Sequence, residues 1–349
     1  MKKLFVALSV SLALLSSCST DFDIIGPYKD NTIVFGLLDK NESIHFIKVN
    51  QSFLGTGNAY DYAAIKDSSE YALVSGNVEA WNSGTLVASY PLQDTTITNR
   101  DSGAFYYPEQ TMYYFIATLN QNYEYRLNLN INDGAKEVTG STKLVYDFPL
   151  NTLTGNTLYP FSLAYNNSSL VNNYPDYYIR FTPGINTRRI DTWVHFWYDE
   201  YTASGTTRKK IEWKVDSYIT SSTAGTEPER VAVFAGDAFY RYVKLKIPSN
   251  ANVIKRVARQ MDIQFVAVSD DMYTYMKVNE PSTGIVQERP SFTNLSNAIG
   301  IFSSRYTKWV RGKVLNKDSQ KELCTGQFTY DLLFCTDSLP WSTETYYCP

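Results

Sequence analysis

The sequence predicts a mainly β protein: an N-terminal immunoglobulin- or fibronectin-like β-sandwich, then a second β-rich, sandwich-like domain with few short helices. Three observations lead there. The composition is skewed to Tyr (28) and Phe (18), with Thr, Ser and Asn, and aromatic side chains suit a pleated, half-buried surface. Short runs of alternating polarity recur along the chain. Asn, Asp, Ser and Gly cluster between those runs, where the backbone must turn.

Residues 31–146 carry the first set of runs. Asn31 to Leu38 and Ser43 to Phe53 read as strands. Tyr71 to Trp81 and Thr85 to Tyr90 flank Asn82-Ser83-Gly84, a hairpin signal. Gly103 to Tyr106 leads into Met112 to Leu119. Tyr123, Tyr125, Leu127, Leu129 and Ile131 share one face of a strand, and Asn132-Asp133-Gly134 turns it back into Lys136 to Val145. Seven or eight short strands at this spacing predict a sandwich. In residues 147–349, strands are predicted at Tyr177 to Thr182, Ile190 to Tyr201, Lys209 to Tyr218, Ala238 to Ile247 and Met261 to Ser269. In the second of these, Thr192, Val194, Phe196 and Tyr198 fall on one face, and Trp193, His195 and Trp197 on the other. Ser269-Asp270-Asp271 predicts a helix start, with the helix running through Tyr273 to Asn279 and stopping at Glu280-Pro281.

The N-terminus predicts export. Lys2 and Lys3 precede an apolar run, Leu4 to Leu15, too short to span a bilayer. Leu15-Ser16-Ser17-Cys18 resembles the bacterial lipobox. Residues 1–17 then form a signal peptide, and Cys18 becomes the lipidated first residue of a tether over 18–30. A diacylglycerol thioether and an N-linked acyl chain such as palmitate contribute roughly 0.8 kcal/mol per buried CH₂, enough for stable anchoring. Ser, not Asp, at position 19 points to the outer membrane, and the segment Ser19 to Asp23 resembles the acidic tether of surface-exposed lipoproteins. The cell surface is favoured over the periplasmic face. Losing Lys2 and Lys3 takes the formal charge from −3 to −5, and a mildly acidic chain without a basic patch offers nucleic acid no footprint.

Cys324, Cys335 and Cys348 complete the four cysteines. An exported chain permits disulfides. Cys324 with Cys335 is the expected pair, joined across a local strand from Gln327 to Phe334. A site built on all three cysteines lacks a nearby histidine, so no metal and no cofactor is expected.

Several stretches resemble a family of Bacteroidota outer-membrane lipoproteins of unknown function. They are Thr32 to Leu38, Ile44 to Gly55, Tyr125 to Thr142, Asp271 to Val278 and Phe292 to Phe302. The resemblance implies an immunoglobulin-like sandwich, a second β-rich domain and an outer-membrane location. It implies no reaction.

Catalytic patterns are missing. The two histidines, His45 and His195, sit inside separate predicted strands, and no G-x-S-x-G elbow or H-E-x-x-H motif is present. Asp199-Glu200 and Asp270-Asp271 are adjacent acids, and neighbours in a strand point to opposite faces. The chain is therefore expected to be no enzyme. The leading expectation is an accessory scaffold for an outer-membrane protein partner of a transport or assembly complex. A surface glycan-binding protein is the alternative, with Trp193, Trp197 and Trp213 as a stacking platform. An adhesin or fimbria-like component is a third reading. Asp94-Thr95-Thr96 and Asp337-Ser338-Leu339 resemble a Bacteroidota O-glycosylation motif at Thr95 and Ser338, expected on exposed loops.

Overall fold

The computed structural model describes residues 29–55, 57–151, 160–165, 174–281, 291–336 and 348. Cys18, the signal peptide, most of the tether and Ser338 lie outside these residues. The protein is mainly β and sandwich-like, with few short helices.

The first region runs β1 (Thr32–Asp39), β2 (Ile44–Gln51), two short helices α1 (Ala59–Ala63) and α2 (Lys66–Ser69), then β3 (Val74–Asn82), β4 (Thr85–Pro91), β5 (Gln93–Ile97), β6 (Gln110–Ile116), β7 (Glu124–Ile131) and β8 (Lys136–Lys143). Both expected turns form. Ser83 and Gly84 have positive φ between β3 and β4, as do Asn132, Asp133 and Gly134 between β7 and β8. Strands β1, β2, β6 and β5 pair in that order in one sheet, and β8, β7, β3 and β4 in the other. Val34, Ile47 and Phe115 of the first meet Val78, Leu127 and Leu129 of the second in a closed core.

The second region runs β9 (Tyr177–Phe181), β10 (Arg189–Thr202), β11 (Gly205–Ile219), β12 (Arg230–Phe234), α3 (Gly236–Lys246), β13 (Val253–Val268), α4 (Asp270–Asn279), β14 (Leu295–Ser296), β15 (Ala298–Lys313), α5 (Lys317–Thr325), a 3-10 turn (Tyr330–Leu332) and β16 (Phe334–Cys335). Strands β11, β10, β13 and β15 form a long antiparallel sheet. The β9–β12 ribbon, α3 and α5 cover one face of it. Val194, Phe196, Ile263 and Phe265 there meet Phe181, Phe234, Phe239 and Leu323.

Strand β15 belongs to both regions. Its first half pairs in parallel with β1, from Thr32↔Ala298 to Asp39↔Arg305, and its second half pairs with β13. One nine-stranded sheet therefore passes through the whole molecule. On its even-numbered side, Phe302 enters the sandwich core and Tyr306 the second core. Ser304 lies between them, buried, donating to Lys143 O at 2.7 Å and accepting from Val145 N at 3.2 Å. The chain changes cores at that point, between Leu144 and Val145. The division expected at 146/147 thus needs one correction: residues 295–302 return to complete the sandwich, because β14 pairs with β8 and β15 with β1.

Ala238 to Ile247 is helix, not strand. Alternation at Phe239, Val243 and Ile247 fits either period. Burial of Phe239, Tyr240, Val243 and Ile247 follows the helical one. The helix starts at Gly236, where a Cβ would lie 2.4 Å from Leu163 O. Helix α4 starts as expected, with the Ser269 hydroxyl accepting from Met272 N and the C-cap at Glu280.

The cysteine pairing also differs from expectation. Cys335 is bonded to Cys348, and Cys324 is free and buried. The expected strand between Cys324 and Cys335 is replaced by the end of α5 and the 3-10 turn. Cys324 sits beside Leu323 in the second core, and burial pushes its thiol up to about 12.

Two outcomes follow. Phe302→Ala should cost about 3–5 kcal/mol. Because β15 is common to both cores, thermal melts of the variant should lose both regions in one transition; separate transitions would contradict this. Iodoacetamide should leave Cys324 unmodified in the folded protein and label it after denaturation, with peptide mapping recovering Cys335 joined to Cys348.

Candidate functional site

Both cores lie on one side of the nine-stranded sheet. The other side is crossed by α4, where the Ser269 and Ser303 hydroxyls meet at 2.6 Å. At the sandwich end, Asn50 Nδ2 of β2 donates to Ser69 O of α2 at 2.8 Å and Lys48 pairs with Glu70 at 2.6 Å. Helix α4 separates two surfaces of different chemistry.

On the sandwich half, several outward residues of β1, β2 and β6 are apolar. Phe35 (41% exposed), Ile44 (45%) and Phe46 (40%) remain in contact with solvent. With Met112, Met272 and Tyr275 they line a groove of about 420 Å³. The Phe35 and Tyr275 rings meet edge to face at 5.9 Å.

On the second half, the strand periodicity brings aromatic rings and charges together. The register aligns Lys214, Trp193, Gln264 and Trp309 across four strands. The next row aligns Glu212, His195 and Asp262. His195 Nε2 lies 3.0 Å from Gln264 Oε1, and its ring lies 5.0 Å from Trp309. Trp197 Nε1 donates to Asp262 Oδ2 at 3.0 Å, and Gly312 N donates to Asp262 Oδ1 at 2.8 Å. A cation lies over each indole: Lys214 over Trp193 at 5.8 Å, Lys210 over Trp197 at 5.3 Å and Arg311 over Trp309 at 4.7 Å. The half-buried rings are thus fixed from both sides, by the sheet below and by cations above.

Carboxylates balance these cations. The Arg208 guanidinium bonded to Asp199 at 2.7 Å, with Arg259 at 2.6 Å, holds that carboxyl below its usual range despite burial. Burial opposes the charge of Asp191, but bonds from Arg189, Ser217 and Lys214 outweigh it and lower its pKa. Glu200, the neighbour of Asp199, points the other way. It meets Arg256 at 2.9 Å and also Lys209. The two adjacent acids therefore lie on opposite faces.

Of the expected stacking platform, Trp193 and Trp197 share this face. Trp213 does not. It pairs with Val194 across β10 and β11, so it faces the core and stacks on Tyr242 at 5.7 Å. Trp309 takes the third position. Its strand alternates Thr307, Trp309 and Arg311 against Tyr306, Lys308 and Val310, a detectable signal. Only the pairing with β13 says where it lands. His45 is buried at the sandwich edge, with Nε2 3.0 Å from Ala117 O, and burial lowers its pKa. Thr95 is half-buried on the edge strand β5 opposite Met112, not on an exposed loop. Among the described residues no helix is long and apolar enough to cross a membrane.

The Asp199 cluster sets a pH dependence. A carboxyl depressed in the folded state contributes stability above its unfolded pKa of about 3.9, and that contribution is lost as pH falls through the folded value. Wild type should melt higher than Asp199→Asn by a constant margin above about pH 5. The margin should close as pH drops below about 4; a gap persisting at pH 2 would contradict the ion-pair assignment. Searches of protein-family models and of curated proteins find no match to this chain.

Proposed function

We propose that the protein is a non-enzymatic lipoprotein, anchored at the outer membrane through Cys18, whose open sheet face docks a protein partner of a transport or assembly complex. The observation that carries this reading is the placement of both cores on one side of a single sheet. That placement leaves a broad face bearing Trp193, Trp197, Trp309, Tyr201 and several Arg and Lys side chains. Trp, Tyr and Arg are the residues enriched where protein interfaces concentrate their binding energy.

The cations over the indoles favour a protein over a sugar at this face. A sugar ring stacking on Trp193 or Trp197 would first displace Lys214 or Lys210, at about 0.5–1 kcal/mol each. A partner offering carboxylates beside apolar side chains meets the cation and the ring together. The acids support a structural role, since Asp199 and Glu200 are each engaged by two cations. The anchor supports the location. About 14 residues separate Cys18 from β1, a reach of at most ~50 Å at ~3.3–3.6 Å per residue.

Pull-down from mildly solubilised outer membranes should recover an integral membrane partner in stoichiometric amount. Trp309→Ala should weaken the complex about tenfold or more, and Cys18→Ala should abolish acyl labelling and release the protein from the membrane fraction. Recovery of the lipoprotein alone would count decisively against the reading.

A further inference from the structure

A second concave surface lies where the sandwich meets the second region. It shares no residue with the Trp193–Trp197–Trp309 face. One cleft of about 370 Å³ is lined by Trp81, Tyr123, Tyr146, Gln121, Asn122 and Asn186, among others. A neighbouring one of about 260 Å³ extends toward Thr223, Asp270 and Asp271. The two share Glu124, Lys143 and Asn186, so they form one continuous groove along the junction. Its size is that of an ordinary small-molecule site, and domain junctions are where such sites concentrate.

Its amides are held in place by one end each. Gln121 Oε1 accepts from Lys40 Nζ at 2.8 Å and from Asp147 N at 3.3 Å. Asn122 Oδ1 accepts from the Tyr146 hydroxyl at 2.9 Å. Asn186 Nδ2 donates to Leu144 O at 2.9 Å, while its backbone, at φ 61, is pinned by a bond from its N–H to Thr223 O. The NH₂ groups of Gln121 and Asn122 and the carbonyl oxygen of Asn186 have no described partner. Two oriented donors and one oriented acceptor therefore line the same groove. Beside them, the Arg126 guanidinium lies 4.4 Å over the Trp81 ring, fixed by Glu124 at 2.7 Å, and the Trp81 indole donates to Glu79 at 2.9 Å.

We infer that this junction groove binds an uncharged saccharide. A sugar carries adjacent hydroxyls that each donate and accept, which matches fixed amide donors set beside an amide acceptor. Holding those amides before binding lowers the ordering cost. The charges do not select an ion, because Glu124, Asp270 and Asp271 offset Arg126 and Lys143 along the lining. The site stands independently of the docking reading above.

Titration calorimetry on the full-length protein in detergent tests it, with neutral hexaoses of glucose, mannose, xylose and N-acetylglucosamine and one galacturonate hexamer as probes. At least one neutral hexaose should bind. The double change Gln121→Ala with Asn122→Ala should weaken that binding at least tenfold, with an unchanged melting temperature, whereas Trp197→Ala should leave it within twofold. If the double variant fails to fold, the single exposed change Asn122→Ala should still lower affinity about threefold. Silence from every neutral hexaose, wild-type affinity in the folded amide variants, or tighter binding of the galacturonate hexamer would each overturn the assignment.

Discussion

The structure depends on the unbroken run of β15 through two cores. A strand that pairs in parallel with β1 and then antiparallel with β13 makes both regions parts of one sheet. Parallel pairing cannot be closed by a tight turn, and here everything from β2 to β14 intervenes. The contact geometry at the crossing is tight. Gly300 has φ 105, and a Cβ there would lie 2.1 Å from Val34 O, so glycine is needed for β15 to lie against β1 at that point. Two residues on, Phe302 fills the sandwich core. Ser304 then fixes the departing end of β8 by accepting from one backbone group and donating to another. Asn41 adds a bond to Thr307 O across 266 residues of sequence. Sandwich and second region are thus joined by covalent strand continuity and backbone hydrogen bonds, and the interface is not a loose surface contact.

This constraint also decides where charge can be buried. At the far end of the long sheet, Arg256 is almost wholly buried. It donates to Glu200 and to the carbonyl oxygens of Leu332 and Pro248. A buried ion pair recovers its desolvation cost only when its remaining donors are satisfied, and here backbone oxygens do that. The pair ties the 3-10 turn and the end of α3 to the sheet. In the sandwich, Lys48 and Glu70 do the same for the segment after α2. The Glu70 carboxylate, which burial alone would discourage, is held ionised by Lys48 and by Thr111 N. These pairs specify position.

Much of this was legible locally. The faces of β10 were correctly separated, because a period of two needs no knowledge of the partner strand. The turns at Ser83-Gly84 and Asn132-Asp133-Gly134 and the cap at Ser269 are set by residues adjacent in sequence. What escaped reading depends on distant partners. Trp213 has the same local pattern as Trp193 and Trp197, and only its register against Val194 turns it inward. Trp309 reaches the site through β15–β13 pairing. Alternation in Ala238 to Ile247 suited both periods, and packing against Leu323 and Phe196 on the second core selects the helix. The amides of the junction groove lie on two separate loops, Gln121 and Asn122 between β6 and β7 and Asn186 between β9 and β10. Their free ends are defined by Lys40, Tyr146 and Leu144, none of which marks them in the sequence.

The two proposed surfaces differ in a way that follows from their construction. The open sheet face is built from outward side chains of long strands, and its indoles are already covered by cations. Fixed rings beside exchangeable charges suit a large protein partner. The junction groove is concave, because loops from two cores meet there, and its polar groups are each fixed at one end and open at the other. Concavity with oriented amides suits a small polar ligand. The two surfaces share no residue, so a saccharide in the groove and a partner on the sheet would not compete for the same side chains. At Ser304, hydrogen bonds to Lys143 O and from Val145 N join β15 to the end of β8, and Lys143 also lines the groove.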